Sequence, residues 1–89
     1  MLRYKVAYYL PVPPDKMVVA EVLDFPGAVT QGFDLRDARS MIAGALGEMA
    51  QLYLEQGKPL PVPNERADDP KADLIERMPL SIEVAMSRS

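Results

Sequence analysis

The side chains in this chain that could do chemistry are carboxylates. Of 89 residues, 13 are Asp or Glu and none is His or Cys, so thiolate nucleophiles, disulfides and the commonest metal ligand and general base are excluded by composition. Carboxylates alone can hold divalent cations for phosphoryl transfer, which takes three or four of them converging on one point. The candidates are Asp15, Glu21, Asp24, Asp34 and Asp37. Most have a competing local task. Asp34 and Asp37 stand where a helix N-terminus wants acceptors for its orphan N–H groups, and Asp15 and Asp24 stand in turns. Glu21 alone sits in an apolar run, where a partly exposed or ion-paired strand carboxylate is the ordinary reading. The pattern therefore predicts no catalytic residue, no metal and no cofactor, and the chain reads as something other than an enzyme.

Partners are narrowed by charge. The net charge is −3 and the ten basic residues are scattered, whereas phosphate neutralisation needs clustered cations. No apolar run approaches the roughly 20 residues that span a bilayer, and Arg3 and Lys5 interrupt the first ten residues, unlike a signal peptide. A cytoplasmic protein without a membrane partner is the expectation. With 48% hydrophobic residues the chain reads as one domain over residues 1–89. A domain of this size buries only about 60–65% of its unfolded surface, so a homodimer or higher homo-oligomer is expected.

The elements that must position any site follow from periodicity. Residues 2–10 alternate, with Leu2, Tyr4, Val6, Tyr8 and Leu10 on one face, the pattern of a half-buried strand. Three prolines between positions 11 and 14 end it. Residues 17–23 form a second apolar run, read as a strand paired with the first in a hairpin. Pro26 and Gly27 then turn the chain into a third strand over residues 28–33, near whose end Gly32 marks a bulge or a close backbone approach. Asp34 caps a helix in which Leu35, Ala38, Ile42, Ala45, Leu46, Met49, Leu52 and Tyr53 form one apolar stripe. Gly57 ends it from the position after the C-cap.

Residues 59–63 carry three prolines and should run extended; residues 64–73 are polar and read as the most mobile part. Asp73 is placed to cap a short helical turn reaching Met78. Residues 80–86 alternate again and are expected to return as the last strand, making 59–79 its connection. The predicted fold is α+β, in the order β-β-β-α-β: a three-stranded antiparallel sheet with a fourth returning strand, packed on one long helix.

Two surfaces remain for function. Ser40, Gly44, Gly47 and Gln51 recur at helical spacing opposite the apolar stripe, with Ala43 and Leu54 at the margin, and two helix-interior glycines cost about 1.5–2 kcal/mol relative to alanine. Such a small-residue face suits close approach of a partner backbone or of a second copy, against the alternative of drift in a helix held by its core face. Sheet edges carrying Arg3 and Lys5, or Glu83, are the other candidates for association. The methionines at 41, 49, 78 and 86 read as core filling; a promiscuous contact surface requires that Met41 be exposed.

Phe25, Pro26 and Gly27, then Thr30, Gln31, Gly32, Asp34 and Leu35, then Tyr53, Leu54 and Glu55, then Gly57, Pro59, Leu60, Pro61 and Pro63 occur in an order that resembles the HicB-like antitoxin family, over roughly residues 4–63. The resemblance implies a partial RNase H-like fold and a protein-binding role: neutralising a small mRNA-cleaving HicA toxin by direct contact. Departures are Ala28 where family members often have cysteine and Leu23 where proline is usual. No residues follow the last strand to form a DNA-binding extension, so DNA binding by this chain is not expected. The alternative is a stand-alone structural or small-ligand-binding domain without a toxin partner. On either reading Pro26, Gly27, Gly32, Asp34 and Gly57 are scaffold residues that turn and cap the chain.

Overall fold

The computed structural model describes residues 2–80. β1 (Arg3–Tyr9), β2 (Val18–Val22), β3 (Val29–Gly32), α1 (Leu35–Glu55) and β4 (Leu74–Pro79) follow one another along the chain. They form one antiparallel four-stranded sheet in the order β3-β2-β1-β4 with the helix on one face, the α+β arrangement predicted from the pattern. No helix among the described residues is long and apolar enough to cross a membrane.

Alternation decides which side chains meet the helix. Tyr4, Val6 and Tyr8 of β1 and Val18, Ala20 and Val22 of β2 are buried and pack with Ala38, Ile42, Leu46 and Ala50 of α1. Phe25, in the turn between β2 and β3, is also fully buried. Its ring stands edge-on between Tyr4, at 5.2 Å, and Tyr53, at 5.1 Å, the geometry aromatic quadrupoles favour. These three rings tie the turn, the first strand and the end of the helix together.

The helix starts and stops as its caps dictate. The Asp34 carboxylate accepts the Asp37 N–H at 2.7 Å, satisfying an orphan donor of the first turn, and the Asp37 carboxylate accepts the N–H of Phe33, the residue before the cap, at 2.9 Å. At the other end Gly57 adopts a left-handed φ of 68° while the Lys58 N–H reaches back to the Tyr53 carbonyl, a glycine-terminated C-cap. Gly32 has a different job: a Cβ there would lie 2.4 Å from the Ala38 nitrogen. The bulge-or-approach alternative thus resolves as close approach of strand to helix.

Three expectations are corrected. Residues 74–79 form a strand, not a helical turn capped by Asp73. A single turn is a poor helix by itself, whereas this segment alternates Leu74, Glu76 and Met78 toward the helix side with Ile75 and Arg77 on the other, and it satisfies the open edge of β1. The connection therefore ends at residue 73. The strand expected at 80–86 lies, from residue 81 onward, outside the described residues. Because β4 covers β1, the strand carrying Arg3 and Lys5 is internal rather than an edge. Finally, Leu10 and Leu52, assigned to core-facing positions, are largely exposed, the first because it lies past the end of its strand and the second because it sits on the flank of the helix stripe.

The polar stretch read as mobile is strapped across the sheet face that the helix leaves bare. Lys5 donates through Nζ to the carbonyls of Glu65 and Ala67, Tyr9 donates its hydroxyl to Asp69 at 2.6 Å, and the Asp73 N–H donates to the Tyr8 carbonyl. Ala7, between Lys5 and Tyr9 on that face, is fully buried. At the strap's entry, the Asp24 carboxylate accepts the N–H of Lys5 and that of Asn64, both at 2.9 Å. Backbone groups with no ladder partner are thus paired through side chains, as burial demands.

Candidate protein-binding surface

Helical geometry sorts the outer residues of α1 into three strips, since each residue advances about 100°. Arg39 fixes one strip: its guanidinium forms a paired contact with Glu76 of β4, at 2.7 and 3.1 Å. Met41 and Leu52 lie on the opposite flank, over β3, and they are 48% and 43% exposed. Ser40 and Gly44 point outward between them and are exposed; a Cβ on Gly44 would meet nothing within 4 Å. Gln51 is half-buried and donates to Glu55 at 3.2 Å, while Leu54 lies on the β4 flank and is largely exposed.

Gly47 departs from the expected arrangement. It is buried, so the small-residue face does not run the length of the helix: Gly44 belongs to the outer surface and Gly47 to the packed side. The condition set for Met41 is met, because it is exposed. Sequence periodicity also passed over Phe33, which is 81% exposed just beyond β3; the only cue was an aromatic residue immediately before a helix cap.

The β3 flank of the helix carries an open groove of about 460 Å³ lined by Gly27, Ala45, Glu48, Met49, Gln51, Leu52 and Glu55. Its floor is apolar, through Ala45, Met49 and Leu52. Its rim carries Glu48 and Glu55, and it lies toward the helix C-terminus, the negative end of the helix dipole. The last turn has no basic residue, and Lys58, just beyond it, lies over the Tyr53 ring at 5.9 Å. A second cleft of about 400 Å³ sits where β1 runs into the proline loop, among Tyr9, Leu10, Val12, Lys16, Val19 and Gln31.

Several titratable groups are shifted by burial and by the partners the fold gives them. Tyr8 is fully buried; burial first, and then the neighbouring Glu76 carboxylate, push the phenol above its ordinary range. Burial and then the hydrogen bond to Asp69 do the same to Tyr9. Glu76 is held below the usual carboxylate range chiefly by the Arg39 hydrogen bond, and Asp69 chiefly by the Tyr9 hydrogen bond. None of these shifts brings a group toward neutrality, where a general acid or base would be poised. Of the five carboxylates weighed for cation binding, Asp24, Asp34 and Asp37 accept backbone N–H groups, and Glu21 is half-buried in β2 opposite Ala7 and Val29. Among the described residues no three His, Cys, Asp or Glu side chains gather closely enough to hold a metal ion. No protein-family model matches the chain, and no curated protein matches it in sequence.

Proposed function

We propose that this chain is an antitoxin-like protein-binding module that neutralises a small, basic, HicA-type mRNA-cleaving toxin by direct contact, without chemistry of its own. The observation that carries the reading is the acid-rimmed apolar groove along α1. An apolar floor supplies desolvation energy, at roughly 25 cal/mol per Å² buried, and the acidic rim steers a cationic partner into it. The ordered resemblance of residues 4–63 to HicB-like antitoxins supplies the identity of the partner class.

The test is co-expression with a candidate toxin encoded beside this gene, followed by titration of the purified pair. Leu52→Asp, which places a charge on the groove floor, and Glu55→Lys, which inverts the rim, are expected to weaken binding at least tenfold and to restore toxicity. Val62→Asp, at an 85% exposed position on the extended segment, should change neither. Equal binding by all three variants removes the groove from the proposal, and no binding by the native chain removes the toxin. The cleft beside the proline loop favours a second reading, a small-ligand-binding domain with no toxin partner. A compound that raises thermal stability through that cleft, in a chain that binds no toxin, would select it.

A further inference from the structure

The two edges of the sheet are not treated alike. β4 ends on Pro79, carries Glu76 and Arg77, and is joined by ion pairs to Arg39 and Glu65, which are the devices that keep an edge from pairing. β3 reads Val29, Thr30, Gln31, Gly32, with no charge and no proline. The Val22 N–H donates to the Ala28 carbonyl, and antiparallel ladders alternate. The N–H and C=O groups of Val29 and Gln31 therefore point away from β2, toward an edge that no strand among the described residues covers.

We propose that β3 pairs with β3 of a second copy of this chain about a two-fold axis through Thr30, making a continuous eight-stranded sheet. The register follows from the free groups. Val29 and Gln31 each face the other's counterpart in the second copy and exchange four backbone hydrogen bonds, which leaves Thr30 opposite Thr30 as the close, non-hydrogen-bonded pair on the axis. Two identical surfaces meet, so any charge on the strand would face its own kind; its absence is what makes self-pairing permissible.

A stable dimer buries about 800 Å² per partner, more than four residues of backbone supply. The surroundings of this edge provide the rest: Phe33 and Val29 are 81% and 52% exposed, and Phe33 lies diagonally across from Val29 of the second copy, within reach of an aromatic ring. Met41, on the helix flank above the edge, adds apolar area on the other face.

Sedimentation analysis of the native chain is expected to show a concentration-dependent dimer. Gln31→Pro removes an outward N–H that takes no part in the β2 ladder, so the monomer keeps its fold while dimerisation weakens by roughly tenfold or more. Because the chain contains no cysteine, single cysteines report the register directly, and they do so even if Gln31→Pro proves unstable. Thr30→Cys places two thiols at a separation of about 4.5 Å between Cα atoms, inside the disulfide range, and should cross-link fully under mild oxidation; Gln31→Cys, off the axis, should not. A native chain that stays monomeric at its highest soluble concentration, or one that dimerises yet cross-links at 31 in preference to 30, overturns the proposal.

Discussion

Replacing Gly32 with alanine tests how the helix is seated on the sheet. The added Cβ would stand 2.4 Å from the Ala38 nitrogen and 2.8 Å from both the Ala38 Cα and the Asp37 carbonyl carbon. All three are backbone atoms of a helix start pinned by the Asp34 and Asp37 caps, so no rotamer change relieves the overlap; the first turn of α1 must lift from β3. Overpacking costs about 1–3 kcal/mol, and rigid neighbours place this case at the upper end. The entropy lost from the unfolded chain returns about 0.4–1 kcal/mol. The net loss is roughly 2–3 kcal/mol, a fall in Tm of about 10–20 °C for a domain of this length. Gly44→Ala is the internal control. It meets open space and recovers the helix propensity that glycine forfeits, about 0.8–1 kcal/mol, raising Tm by about 4–8 °C. Both variants are measured by thermal and urea unfolding. If Gly32→Ala unfolds within 2 °C of the native protein, by about a quarter of a kcal/mol, the helix is not seated through Gly32 and the argument fails.

Three other outcomes follow from the same structure. Asp24→Ala leaves the N–H groups of Lys5 and Asn64 without their acceptor and should destabilise by about 1.5–3 kcal/mol, with faster amide exchange at residues 64–69 if the carboxylate anchors the strap. The folded-state pKa values of Tyr8 and Tyr9 lie above their unfolded value of 10.0. The folded state therefore holds protons that the unfolded state releases, and the linked stability is complete below pH 10 and lost as pH rises through 10 toward the folded values; Tyr8→Phe with Tyr9→Phe should flatten alkaline unfolding. Glu76 and Asp69 shift the opposite way, so their contribution is present above the unfolded carboxylate pKa and is lost as pH falls through the lowered values. Glu76→Gln should reduce the acid dependence of unfolding measured by circular dichroism.

Much of the fold is legible because short-range rules agree with one another. Alternation in residues 2–10, the turn at Pro26 and Gly27, the cap at Asp34 and the stop at Gly57 each act within a few residues, and each appears in the structure. Residues 74–79 are locally ambiguous, because a short segment preceded by Asp73 and ending at Pro79 satisfies both a capped turn and an edge strand. What decides is distant: the vacant edge of β1, 70 residues earlier in the chain, and Arg39, which compensates the Glu76 carboxylate that the pleat turns toward the helix. The strap was misread for a related reason. A run rich in Asp, Lys and Arg has no apolar pattern, yet its hydrogen bonds reach residues about 60 positions away, and local composition does not carry such partners.

The candidate surfaces depend on the same distant facts. A helical wheel places Gly44 and Gly47 on the outer side together, but burial separates them. Met41 and Phe33 look like core residues by type and are exposed because, among the described residues, no strand lies beyond β3 to cover the strip of helix above it and the turn after it. That vacancy arises from topology: β4 joins at β1, and the strap covers the same half of the bare face through Lys5 and Tyr9. One half of the sheet is therefore closed by strand, strap and ion pairs, and the other presents an uncharged β3 beside the exposed Val29, Phe33 and Met41. In a chain of 89 residues, where a monomer core yields only a small margin of stability, covering the exposed Val29, Phe33 and Met41 adds apolar burial, and an occupant of either proposed kind would supply it. The two occupants are separable: cross-linking through Thr30→Cys leaves the acid-rimmed groove's floor unaltered, so a covalent dimer that still binds a basic partner shows the edge and the groove to be independent, and one that loses binding shows that they compete.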